Sequence, residues 1–282
     1  MNARDFFAGR RLVIATKHGK ETLIGPKVAS QLGVLPFVCL ELDTDLLGTF
    51  SGEVERKEGP LATARKKCEL AMSYSGVDLA IASEGSFGAH PTYYFLPGNE
   101  ELIMLLDKRQ GLEIVGRKLS AETNFGSRYC KTEAELLEFA REAHFPSHGL
   151  ILRERRGAID TVCKGICEQQ ELLATFRMFL ARSGQAFVET DMRALYNPMR
   201  MKVIGEATDE LLKRVLVQCE KCNSPGFGIR GVQPGMPCSL CGRPTRSPQA
   251  RVYGCVKCGF SKTEKICDKD AEDPMYCDYC NP

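Results

Sequence analysis

Eight cysteines near the end of the chain fall into four Cys-x-x-Cys pairs: Cys219/Cys222, Cys238/Cys241, Cys255/Cys258 and Cys277/Cys280. Such a pair holds two thiolates on one short turn whose backbone amides can hydrogen-bond the sulfurs, and two turns close a tetrahedral zinc site. Fifteen residues separate the first two pairs and 18 the last two, spacings that suit zinc ribbons. Gly242 and Gly259 directly follow Cys241 and Cys258, where the turn calls for a residue tolerant of positive φ. Thiolates alone would fill each site, so two structural zinc ions are expected, with no open position to activate water. Shorter loops favour pairing consecutive knuckles over interleaving them, but by under about 1 kcal/mol on the logarithmic loop rule, so the sequence leaves both arrangements open.

Two further segments carry reactive groups. Thr16-Lys17-His18-Gly19-Lys20 places a hydroxyl, two lysines and a glycine just before an expected helix start. Backbone amides, the helix dipole and the ammonium groups would all favour an anion there, phosphate first. Ser83-Glu84-Gly85-Ser86-Phe87-Gly88 follows an apolar run and reads as a loop, in which Glu84 could hold magnesium together with phosphate oxygens. Asp43, Asp45, Glu53 and Glu55 read as solvating an acidic loop. Glu189 to Arg193, with Asn197 and Arg200, form a third polar cluster, whose arginines suit either a phosphate clamp or an ordinary helix cap. His18 and His90 are loop histidines that could face the same cleft.

The elements that must position these groups follow from local signals. RLVIA at 11 to 15 reads as a buried strand, a helix closes at Gly33, and 34 to 40 reads as a second strand. Pro60 opens a helix that ends at Gly76, followed by a strand over 77 to 82. LIMLLD and LEIVGR read as a hairpin, which makes the sheet mixed. Thr132 and Glu135 make a capping box, HGLILR from His148 reads as a strand, 168 to 183 as an amphipathic helix ended by Gly184, and AFVET as another strand. Asn197 and Pro198 start a long helix that runs directly into Cys219. The expectation is an α/β mixed-sheet domain over 1–218 and a zinc-ribbon module over 219–282, docked together because no low-complexity linker separates them.

Composition narrows the classes. Over 282 residues the formal net charge is +2, without the basic stripe that duplex DNA calls for. Apolar runs are too short to span a bilayer and the N-terminus lacks a secretory pattern, so a cytoplasmic, non-membrane protein is expected. Clustered Cys-x-x-Cys then favours metal over disulfides. The remaining cysteines, Cys39, Cys68, Cys130, Cys163, Cys167 and Cys267, read as small buried hydrophobes.

Thr16-Lys17-His18-Gly19-Lys20 is similar to the Thr-Asn-x-x-Lys element of the inosine triphosphate pyrophosphatase and Maf-like superfamily. Thr63-Ala64-Arg65-Lys66-Lys67 resembles its helix motif, and Glu84-Gly85 its acidic strand end. The resemblance spans residues 11–118 and implies the fold of that superfamily. It also implies phosphate contacts from Thr16, Lys17, Lys20 and Lys67, with Lys20 and Glu84 catalytic and Glu84 holding magnesium. Lys17 stands where asparagine is usual, Ala62 where an acid precedes the helix motif, and only Ser147-His148-Gly149 echoes the base-recognition element, so purine specificity is not implied. Taken whole, the chain resembles an uncharacterised bacterial family that joins an ATKHGKE-type N-terminus to paired Cys-x-x-Cys knuckles and ends in CxxCNP. Two functions follow as expectations. One is a magnesium-dependent hydrolase of nucleotides or other phosphate-containing small molecules. The other is a non-catalytic binder of protein or RNA, with Phe227, Arg230, Arg243, Arg246, Arg251 and Tyr253 as a stacking and phosphate surface.

Overall fold

The computed structural model describes residues 2–16, 18–39, 58–266 and 268–282. Lys17, the acidic residues Asp43, Asp45, Glu53 and Glu55, and Cys267 lie outside the described residues. Strand β1 (Arg11–Ala15), buried from its second residue, lies between β2 (Leu35–Val38) and β3 (Leu79–Ala89), parallel to both. Parallel neighbours need crossovers, supplied by α1 (Glu21–Leu32) and α2 (Pro60–Ser75). Each helix ends at a left-handed glycine, Gly33 at φ 68° and Gly76 at φ 66°, as the sequence implies. The antiparallel strands β4 (Pro97–Asp107) and β5 (Leu112–Ser120) complete a mixed sheet of order β2-β1-β3-β4-β5.

Strand alternation divides the core between the two faces. Leu12, Ile14, Leu79 and Ile81 pack with α1 residues Ile24 and Val28. Val13, Ala80 and Ala82 pack on the other face with Ala64, Cys68 and Met72 of α2. Strand β3 is longer than its apolar run, because β4 pairs with it rung by rung from Leu79↔Asp107 to Ala89↔Pro97. The segment Ser83–Gly88, expected as a loop, is therefore strand. Ser83 continues the α1 face and Glu84 the α2 face.

After β5 the chain builds a second, antiparallel sheet of order β6-β9-β7-β8 from β6 (Ser127–Cys130), β7 (Leu150–Arg153), β8 (Val162–Ile166) and β9 (Ala186–Thr190). Helices α3 (Glu133–Glu142) and α4 (Gln169–Ser183) supply its core with Leu136, Leu172 and Phe176. Helix α5 (Pro198–Leu216), capped by the Asn197 side chain, then returns to the first sheet. Its backbone lies so close to β5 that a Cβ on Gly116 would stand 2.3 Å from the Leu211 nitrogen.

Three residues beyond α5 the cysteine module begins, built on the antiparallel sheet β10 (Gly228–Pro234), β11 (Pro248–Gly254) and β12 (Ser261–Lys265). It is docked. Gly226 sits against Ile114 of β5, and Arg214 of α5 donates to the Val115 and Ile229 carbonyls, both at 2.9 Å. Among the described residues no helix is long and apolar enough to cross a membrane.

Candidate functional site

The eight paired cysteines form two sets, Cys219, Cys222, Cys255 and Cys258 in one and Cys238, Cys241, Cys277 and Cys280 in the other. The sulfurs of each set lie within 4.8 Å of one another. Sγ separations are 3.7 Å for Cys219–Cys258, 3.6 Å for Cys222–Cys255, 3.9 Å for Cys238–Cys280 and 3.7 Å for Cys241–Cys277. A tetrahedron with 2.3 Å zinc–sulfur bonds has edges of about 3.8 Å, so each set fits and could hold a zinc ion. Amide hydrogen bonds from Lys221, Leu240 and Lys257, each 3.4 Å long, reach the first sulfur of their knuckles. Gly242 and Gly259 both take φ 71°, as their place after a cysteine implies, and Asn223 takes φ 56° at the equivalent place.

The pairing is interleaved, which corrects the preference for consecutive knuckles. The reason is sheet register. Gly228 at the start of β10 pairs with Gly254 at the end of β11, which brings the first knuckle to the third. Ala250 pairs with Lys265, so the chain leaving β12 returns toward the second knuckle. There Glu272 bridges to Cys238, and its carboxylate is held down to about 2 by Lys269, Ser247 and the Asp273 amide. Strand pairing thus overrides an entropic difference of under about 1 kcal/mol.

A second polar cluster lies where β1 ends. Ala15 pairs with Ala82, and from Ser83 onward β3 has no β1 neighbour. Gly19, at φ 74°, turns the chain into α1, and the next residue, Lys20, sends its side chain back over the sheet. Its Nζ lies 2.8 Å from Ser83 Oγ, and both residues are buried. Burial and repulsion from Arg200 and Lys67 push the Lys20 amine down to about 7, against a partial pull from Glu101 and Glu84. Two rungs further along the same face, Arg200 Nε stands 2.7 Å from Glu101 Oε1 with both side chains at 0% exposure. This pair fills the space above Gly85, where a Cβ would lie 2.5 Å from the Glu101 carboxylate. Gly85 therefore admits these two side chains, not a ligand. On the opposite face Lys67 of α2 stands 2.5 Å from Glu84.

Thr16, Lys20, Lys67 and Glu84 thus converge on the carboxyl end of β1 from both faces of β3. Among the described residues three cations, Lys20, Lys67 and Arg200, meet two carboxylates, Glu84 and Glu101. Among the described residues no carboxylate lies within ion-pair distance of Lys20, and the buried Thr16 hydroxyl has no hydrogen-bond partner. Ser83 and Glu101 escaped the sequence reading. One looked like a loop serine, and the other lies on a strand whose register alone brings it to Arg200. For Glu84, Lys67 occupies the carboxylate, and among the described residues only the cysteine sets gather three or more metal-ligating side chains.

Several expected site members have structural duties instead. Arg193 pairs with buried Asp191 at 2.6 Å and stacks over Tyr196. His90 Nδ1 accepts from the Thr92 and Tyr93 amides and so holds its own turn. His148 Nε2 accepts from the Met199 amide at 3.3 Å, which leaves Nδ1 as the protonated nitrogen of the neutral ring. It then donates to Ser147 Oγ 3.0 Å away, whose own proton goes to the His144 carbonyl, so Ser147 is not activated. Phe227 is buried between Tyr253 and Phe260 at ring separations of 6.2 and 6.0 Å, and is closed to a stacking base.

The family model for a domain of unknown function (DUF6671) matches residues 67–282. No curated protein matches the chain. The match covers most of the sequence, from Lys67 in α2 through the long β3–β4 hairpin, the second sheet and both cysteine sets, and the chain belongs to this family.

Proposed function

We propose that this DUF6671 protein is a hydrolase of phosphate-containing small molecules, nucleotides foremost, with its site at the carboxyl end of β1 and its two zinc sites structural. The observation that carries this reading is the excess of cations over carboxylates among the described residues at this end of the sheet, Lys20 buried and Lys67 half-buried, beside an unpartnered Thr16 hydroxyl. A desolvated ammonium is costly unless an anion joins it, and a phosphate group would take donors from Thr16, Lys20, Lys67 and the first turn of α1. Glu84 is the described carboxylate placed to share a magnesium ion with that phosphate, Lys67 turning from Glu84 to the phosphate oxygens. Bound magnesium would neutralise charge developing on the phosphoryl oxygens.

The test is release of phosphate and pyrophosphate from canonical and deaminated nucleoside triphosphates, with and without magnesium, by zinc-replete protein. Hydrolysis that falls at least about 100-fold in both Glu84→Gln and Lys67→Met supports the reading. Zinc-replete, folded parent protein that releases neither product and binds neither anion would remove it.

A second reading, a binding module for a protein partner, is favoured by the Cys238 set. Leu240, Met275, Tyr276 and Tyr279 are exposed around it, a cluster of the kind that marks partner sites. For RNA the surface is poorer, because Phe227 is buried and Arg243 already covers Tyr279, 3.4 Å from its ring centroid. Absence of salt-sensitive binding to single-stranded RNA would leave the protein version alone.

A further inference from the structure

We infer that Ser83 and Lys20 form a nucleophile–base pair, and that hydrolysis at this site proceeds through a phosphoseryl intermediate on Ser83. The inference rests on the phosphate reading above and adds what that reading leaves open, the group that attacks phosphorus.

The geometry carries it. Ser83 Oγ and Lys20 Nζ are 2.8 Å apart, within the reach that general-base activation of a hydroxyl needs. Lysine serves as the base of a serine when it can lose its proton near neutral pH. Lys20 is held in that condition by burial and by the neighbouring positive charges of Arg200 and Lys67. Ser83 is the first residue of β3 beyond the β1 ladder, at the end of the sheet where the phosphate is proposed to lie. The buried Thr16 hydroxyl, on the chain leaving β1, is a donor without an acceptor among the described residues. It suits an oxygen that becomes more negative as the phosphorus is attacked. The contrast with Ser147 is direct. Its neighbour His148 donates to it through a nitrogen that cannot take its proton, whereas Lys20, which donates to Ser83 Oγ as the ammonium, can accept the hydroxyl proton once its amine is neutral.

The steps balance. Ser83 Oγ forms a bond to phosphorus as the bond from phosphorus to the leaving oxygen breaks. The hydroxyl proton passes to the neutral Lys20 amine and from the resulting ammonium to the leaving oxygen. Water then attacks the phosphoserine, Lys20 accepts a proton from the water and returns it to Ser83 Oγ, and inorganic phosphate departs. Glu101 and Arg200 are positioning residues that hold the strand and the field around Lys20.

The test uses an alkyl fluorophosphonate, an electrophilic phosphorus that needs no knowledge of the substrate. Zinc-replete full-length protein is expected to gain one covalent adduct, mapped to Ser83 by peptide mass. Its rate should rise with pH and level off above about 7, as the Lys20 amine becomes neutral. Ser83→Ala should gain none, and Lys20→Met should be labelled at least about 100-fold more slowly, with circular dichroism and zinc content reporting that both variants are folded. A parent that gains no adduct at Ser83, or a Lys20→Met protein labelled as fast as the parent, overturns the pair. Calorimetric titration with inorganic phosphate tests the anion reading separately. Phosphate binding without labelling leaves that reading standing and removes the nucleophile, and labelling without phosphate binding does the reverse.

Discussion

Replacing Lys20 by methionine should make the protein more stable, and by an amount that depends on pH. The folded-state pKa of Lys20 lies at about 7, against an ordinary value of 10.5. Between those values the folded chain binds fewer protons than the unfolded chain, so this group makes stability rise with pH. Its destabilising effect is fully present below pH 7 and fades as pH approaches 10.5. At 1.36 kcal/mol per pKa unit the limit is about 5 kcal/mol. Methionine keeps the stem and loses the charge, with the Ser83 hydrogen bond returning roughly 1 kcal/mol of cost. Lys20→Met is therefore expected to exceed the parent by about 2–4 kcal/mol at pH 6 and to approach it by pH 9.5. Urea unfolding of zinc-replete parent and variant at several pH values measures the gap, and subtraction cancels titrations that the two proteins share. Added inorganic phosphate should narrow the gap at pH 6 by stabilising the parent alone. Parallel stability curves across this range, or a variant less stable than the parent at pH 6, would refute the assignment of Lys20 as a strained, desolvated cation.

Other predictions concern the frame around the site. The zinc pairing can be read from stoichiometry: Cys222→Ser with Cys255→Ser should leave one zinc per chain by atomic absorption, whereas Cys222→Ser with Cys238→Ser should lose both. Consecutive pairing would give the opposite pattern. Gly116→Ala forces a methyl into the α5 backbone and should cost about 3 kcal/mol in denaturant unfolding. Arg200→Met strands the buried Glu101 carboxylate and should cost about 3–5 kcal/mol, while Arg200→Met with Glu101→Met should recover most of that loss.

Much of the architecture was legible because its signals are local. Gly33, Gly76 and Gly184 end their helices in the left-handed conformation, and Asn197 with Pro198 starts α5. The cysteine spacing and the glycines after Cys241 and Cys258 announced the knuckles. What stayed hidden depends on partners distant in sequence. Ser83–Ala89 is strand because β4 extends to Pro97, and nothing in the polar segment itself says so. Strands β6 and β8, short and half polar, are defined by their pairing with β9 and β7. Arg200, which looked like a helix-cap residue or a phosphate clamp, is buried by a carboxylate on β4. The expected anion loop and the expected acidic strand end do meet at one place, although alternation puts Lys20 and Glu84 on opposite faces of β3.

Interleaving also has a consequence for synthesis. Neither set can be completed by the residues of the first two knuckles alone, so Cys219 and Cys222 must await Cys255 and Cys258, and Cys238 and Cys241 must await Cys277 and Cys280. The order of metal loading is thereby written into the direction of translation, with the set nearest α5 filling first. A stop codon in place of Cys280 would yield a protein with its Lys20–Glu84 cluster and first cysteine set intact and its distal set one ligand short.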